Sequence, residues 1–221
     1  TYDATLTVPV PGSSFELIVY RGYCTVEATV DGVAVTVANT HLESSSAPVR
    51  RRQAEELLEQ LPSTGPVILG GDFNSAPGEA AYDLLTERLT DAYGEVRPDA
   101  DGATCCQADD LRNEASQLSR RIDGLLYRGE ITPTAVERVG HRSDDRVAVE
   151  VGRETVRVWP SDHAGVVGTF EVTGSRSTPT PSTGTPSTAT TSADSTVSSG
   201  AGPGLGVVTG VVGVLLGAAA R

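Results

Sequence analysis

The chain has no lysine. All 17 basic residues are arginine, set against 29 aspartates and glutamates, for a net charge of −12. Repulsion between such a surface and phosphate argues against non-specific nucleic-acid binding at low ionic strength. In brine, screening shortens that repulsion to a few ångströms, so the argument weakens there. An acidic, lysine-free surface suggests adaptation to high salt. A GC-rich genome that favours arginine codons is a compatible alternative. Methionine is absent too, so Thr1 is not a start site, and no signal-peptide pattern opens the chain. The sequence therefore reads as the continuation of a longer protein. Cysteine is scarce. Cys24, Cys105 and Cys106 are odd in number and show no CxxC spacing, which excludes a disulfide framework and a zinc knuckle. They are expected to be small buried thiols, because sequence neighbours rarely bridge each other.

Composition divides the chain. Residues 1–174 are mixed and large enough to bury a core. Residues 175–202 are almost all Ser, Thr, Pro, Gly and Ala, with too little apolar surface to offset the entropy of ordering, and read as a disordered stalk. Residues 203–221 are apolar apart from Thr209 and Arg221, near the short limit for a spanning helix. Stalk and apolar run together predict a membrane anchor with the folded part on the extracellular face, or a secreted protein. The run also resembles the carboxy-terminal sorting signals of archaeal surface proteins, which implies possible removal and lipidation.

Within residues 1–174 the pattern alternates. Residues 15–22 and 23–30 are strand-like. Asp31-Gly32 marks a hairpin, and 33–42 is the returning strand. Residues 44–62 predict a helix capped by serine, with Pro48 in its first turn and Pro62 at its stop. Residues 66–72, "PVILGGD", predict a strand buried on both faces. Residues 78–93 predict a second amphipathic helix, and 120–129 and 165–172 two further strands. This order suits an α/β layered domain.

Polar signals stand where the apolar strands end: "NTHLE" at 39–43, "GGDFNS" at 70–75, "RID" at 121–123 and "SDH" at 161–163. Each has an ordinary structural explanation. Asp and Asn favour turns, "RID" permits an ion pair with Arg120 or Arg121, and "SDH" can cap a helix. Together they supply carboxylates, a carboxamide and two of the three histidines at strand ends. That inventory suits metal-assisted phosphoester hydrolysis. No P-loop, HExxH or nucleophile elbow competes. Glu43 is read as solvated, "HRSDD" at 141–145 as a surface loop, and Trp159 with Pro160 as a packing wedge.

"GDFN" followed by "RID" and then "SDH", with "RGY…VANTHLE" before them, resembles the endonuclease/exonuclease/phosphatase (DNase-I-like) superfamily over about residues 15–172. The resemblance implies a four-layer α/β/β/α sandwich lacking its first strands here. It implies that Asp72 activates water and Asn74 hydrogen-bonds the scissile phosphate. His163 would bind phosphate and stabilise the transition state, oriented by Asp123. Asp162 and Asp72 would lie at Mg²⁺ or Mn²⁺, and His41 would contact phosphate or protonate the leaving oxygen. The family's principal metal-binding glutamate, and an asparagine before it, would precede Thr1. The implied substrate is a phosphoester, in nucleic acid or a phospholipid headgroup. A non-catalytic surface module and a lipid phosphodiesterase stand as alternatives.

Overall fold

A computed structural model describes residues 1–173 together with Val207 and Val208. The stalk and most of the apolar run fall outside the described residues. Twelve strands and three helices follow in the order β1 Leu6–Pro9, β2 Glu16–Val19, β3 Gly22–Val30, β4 Val33–His41, α1 Ala47–Gln60, β5 Val67–Asp72, α2 Ala80–Thr86, β6 Thr90–Asp91, α3 Ala92–Val96, β7 Asp123–Arg128, β8 Ile131–Val139, β9 Val147–Val151, β10 Glu154–Val158, β11 Gly165–Val172 and β12 Val207–Val208. Among the described residues no helix is long and apolar enough to cross a membrane.

The main sheet has the order β3-β4-β5-β7-β6. β3 and β4 form the expected hairpin, with Asp31 (φ 48°) and Gly32 (φ 85°) both left-handed, as a type I′ turn requires. β4 and β5 run parallel across the α1 crossover, and β7 returns antiparallel on β5. β5 is buried along its whole length, which explains its unbroken apolar sequence. A second sheet joins β8, β11 and β12.

Two apolar clusters fix the layers. Leu57, Leu58 and Leu61 of α1 and its stop, with Tyr82 and Leu85 of α2, pack on Ala38, Val67, Leu69 and Leu126 of the main sheet. On the other face Val35, Ile68, Leu125 and Tyr127 meet Val136, Val166 and Phe170 of the second sheet. The described residues thus form helices, sheet and sheet in succession, the α/β sandwich class expected.

Two expectations change. The second helix stops at Thr86, because Thr90 and Asp91 leave the helical path to pair with Tyr127 and Leu126 of β7. Sheet pairing overrides the amphipathic pattern there. The cysteines also differ. Cys24 is exposed on the edge strand β3, and Cys105 and Cys106 are joined to each other as a disulfide, Cys105 buried and Cys106 exposed.

Candidate active site

The sheet register brings the site together. His41 ends β4 opposite Asp72, and Asp72 ends β5 opposite Asp123, the first residue of β7. Three strand ends therefore present imidazole, carboxylate and carboxylate in one row. Gly71 allows the close approach. A Cβ there would lie 2.1 Å from the carbonyl oxygen of Thr40, so any side chain would push β4 and β5 apart. Phe73 anchors the turn beyond. Its side chain is buried, and its N–H donates to the carbonyl of Ile122 at 2.8 Å.

His163 reaches the row from the second sheet, two residues before β11. Its Nδ1 lies 2.8 Å from Oδ2 of Asp123. A carboxylate only accepts, so Nδ1 carries the proton and Nε2 faces outward. Thr104 fixes Asp123 from behind, its hydroxyl accepting from the N–H groups of Ile122 and Asp123 at 3.1 Å each. Neither Arg120 nor Arg121 pairs with Asp123. Arg120 holds Glu79, and Arg121 holds Asp91. The ion-pair explanation of "RID" is thereby removed. The helix-cap explanation of "SDH" goes too, because a strand follows it.

The electrostatics separate the groups. Burial above all, and then Asp123, push the Asp72 carboxyl up to about 6. Hydrogen bonding and charge from Asp123 raise the imidazole of His163 against the opposing effect of burial. Burial and Arg21 lower His41. Its Nε2 lies 3.4 Å from Oδ2 of Asp72, but a depressed pKa makes this a contact of neutral imidazole with carboxylate rather than an ion pair. Asn74, at φ 48°, donates its N–H to Oδ1 of Asp72 at 2.8 Å and its side-chain amide to the carbonyl of Leu42 at 2.9 Å. One amide hydrogen of Asn74 is thus committed to holding the β4 end. Asp162 is half-buried beside His163, with Oδ1 3.4 Å from the hydroxyl of Ser161.

Ligand atoms of Asp72, Asp123 and His163 lie within 4.8 Å of one another. Asp162 is not in that group. Oδ1 of Asp123 is buried with no hydrogen-bond partner among the described residues. Two adjacent buried carboxylates, one with an unpartnered oxygen, form a hard-oxygen set short of positive charge. A hard divalent cation fits it.

Sequence reasoning misplaced Glu43 and gave Arg21 and Cys106 no role. Glu43 is 1% exposed rather than solvated. Its Oε1 accepts from the N–H of Ser45, and Oε2 lies 3.6 Å from Nε of Arg21. The Arg21–Glu43 pair orders the mouth beside His41. No local signal announces its burial, since apart from Leu42 its sequence neighbours, Thr40, His41 and Ser44 to Ser46, are polar. Sγ of Cys106 lies 3.8 Å from Nε2 of His163.

The family model described as "Endonuclease/Exonuclease/phosphatase family" matches residues 3–163. No curated protein matches the chain. Among solved structures, a Bacteroides thetaiotaomicron protein described by that same family name is 21% identical with TM-score 0.52, over 67% of this chain and 53% of its own. A mannosyl-6-phosphatase of the same species is 22% identical with TM-score 0.54, over 76% of this chain and 61% of its own. Danio rerio TDP2, complexed with single-strand DNA product, is 18% identical with TM-score 0.51, over 76% of this chain and 67% of its own. The chain thus spans 53% and 61% of the length of the two Bacteroides proteins. At these identities the likeness is one of fold.

Proposed function

Because the chain belongs to the endonuclease/exonuclease/phosphatase family, whose members are phosphoester hydrolases, we propose that it is a metal-dependent phosphodiesterase acting through activated water. The observation that carries this reading is the Asp72–Asp123–His163 constellation. A carboxylate base near neutrality there adjoins an imidazole whose proton is held by a second carboxylate.

Asp72, once ionised, takes a proton from water as the water oxygen bonds to phosphorus and the phosphorus–ester bond breaks. The Asp123 carboxylate keeps His163 in one tautomer and favours its charged form, so Nε2–H is directed at a phosphoryl oxygen gaining charge. The leaving oxygen takes its proton from His163 or from solvent. His41 is held neutral and serves as a hydrogen-bond donor to phosphate rather than as an acid. The free amide hydrogen of Asn74 provides a second donor. A divalent cation, Mg²⁺ or Mn²⁺, would be held by Asp72 with Asp123, with Asp162 nearby, and would supply Lewis-acid neutralisation of phosphoryl charge.

The TDP2 structure with a DNA product and the mannosyl-6-phosphatase share this fold, which is compatible with substrates from nucleic acids to phosphosugars. Residues 175–202 and 203–221 are read as stalk and anchor, placing the enzyme on the outer face of the cell. The test is hydrolysis of bis-p-nitrophenyl phosphate and of DNA in concentrated salt with Mg²⁺, compared with EDTA. Hydrolysis of neither substrate would overturn the reading.

A further inference from the structure

Behind the catalytic row, on the far side of residues 103–105, a cavity of about 230 Å³ opens between α3 and the end of β8. Arg97, Arg138, His141 and Arg142 line it, with Tyr93 and Glu137. Three arginines gathered against one glutamate are unusual on a chain of net charge −12. Nε of Arg97 is tied to the carbonyl of Val136 at 3.3 Å, which steadies the guanidinium and leaves its terminal nitrogens available. Among the described residues neither the Arg97 nor the Arg142 guanidinium has a carboxylate partner, Arg142 meeting Asp145 only through its backbone N–H, and Arg138 reaches Asp101 only at 4.0 Å. Nδ1 of His141 is buried and, among the described residues, has at most the Arg138 backbone as a polar neighbour. Burial, Arg138 and Arg142 depress its pKa, and Asp145 opposes them. The cavity lining thus offers donors and a net positive charge, three arginines to one glutamate.

It also shares a wall with the catalytic row. Arg138 donates through Nη1 to the carbonyl of Ala103 at 2.5 Å. The next residue, Thr104, holds the backbone of Asp123 and accepts from the N–H of Ala164. Val139 at the end of β8 pairs with Gly165, two residues beyond His163.

We propose that this cavity is a second phosphate subsite, binding a non-scissile phosphate of a nucleic-acid strand, another ester of which lies at Asp72 and His163. The inference rests on the phosphodiesterase reading above. Ala103, Thr104 and Cys105 are buried, so a substrate that fills both places must pass over the residues that cover them and carry more than one phosphate, as a nucleic-acid strand does. In brine the long-range repulsion from the acidic surface is screened, and direct contacts with arginine decide binding.

The experiment compares wild type with Arg97→Gln/Arg142→Gln, and with the same charge change at Arg51 and Arg52 on α1, across the main sheet. Arg138 is left intact because it braces the catalytic wall. Two substrates are used: bis-p-nitrophenyl phosphate, with one phosphate, and a single-stranded oligodeoxynucleotide, with many. Binding of the oligonucleotide is measured separately in the Asp72→Asn background across salt concentrations. The cavity variant is expected to raise the oligonucleotide KM about tenfold, the order of two lost phosphate contacts. Its slope of log affinity against log salt should fall by about 0.7 per arginine. Hydrolysis of bis-p-nitrophenyl phosphate and the α1 control should not change. An unchanged salt slope in the cavity variant, or an equal change in the α1 control, would overturn the subsite. Wild-type protein inert toward both substrates would instead contradict the phosphodiesterase reading, and the binding slope would still decide the cavity.

Discussion

His163 donates through Nδ1 to Oδ2 of Asp123 at 2.8 Å, joining the loop before the second sheet to the end of a strand in the first. This bond fixes which imidazole nitrogen faces substrate and raises the pKa of the ring. Asp123→Asn should bring the His163 pKa down, and the shift is measurable by following the ring protons in an NMR titration. Because the raised pKa favours the folded state, its stabilising contribution is complete below the ordinary histidine value of about 6.5. It is lost as pH rises through the folded value. The variant should therefore lose stability relative to wild type mainly on the acid side. An unmoved His163 pKa would contradict the pairing.

Asp72 carries a cost. Its folded pKa of about 6 stands above the unfolded value of 3.8, so its contribution to stability declines as pH rises from about 4 to about 6. In metal-free buffer Asp72→Asn should be more stable than wild type at pH 7 by as much as about 3 kcal/mol, the equivalent of that shift. The difference should vanish below pH 4, and added Mg²⁺ should narrow it by stabilising wild type alone. Urea unfolding at pH 4 and pH 7, with and without Mg²⁺, checks all three. A variant less stable than wild type at pH 7 would oppose the account.

Much of this was legible in the sequence, for physical reasons. The run from Val67 to Asp72 is apolar because β5 is covered on both faces, and Asp31-Gly32 needs two left-handed residues. The strand-end motifs come together because β4, β5 and β7 are in register at Asp72, and His163 reaches Asp123 from the second sheet. What failed depended on contacts distant in sequence. Glu43 looked solvated because its partner, Arg21, is on the neighbouring strand's approach. The 78–93 helix looked continuous because only β7 reveals that Thr90 and Asp91 pair as strand. The Arg97–His141 cavity joins segments about forty residues apart, and no local pattern announces it.

Arg21 should matter to both stability and chemistry. Removing it in Arg21→Gln leaves the buried Glu43 carboxylate without its cation, at a cost of about 1–3 kcal/mol. Arg21 also lowers the pKa of Asp72 and of His41, so its loss should raise both. The acid limb of kcat/KM against pH should then move to higher pH. Glu43→Gln, which keeps the side chain's shape, should destabilise less. A pH profile superimposable on wild type would contradict the placement of Arg21 at the site.

Gly71 tests the register itself. Gly71→Ala places a methyl group against the Thr40 carbonyl. It should cost about 1–3 kcal/mol through forced separation of β4 and β5. Activity should fall further than stability, since the same movement separates His41 from Asp72. Thermal unfolding and single-substrate kinetics on one preparation check the pair of effects. Full activity in a destabilised variant would mean that the strand-end row does not need this spacing.

The most direct test of the central claim is the rate of bis-p-nitrophenyl phosphate hydrolysis in concentrated salt with Mg²⁺, measured for wild type, Asp72→Asn and His163→Ala. The account predicts a wild-type rate abolished by EDTA and lowered at least about a hundredfold in each variant. A rate indifferent to EDTA, or to both substitutions, would contradict it.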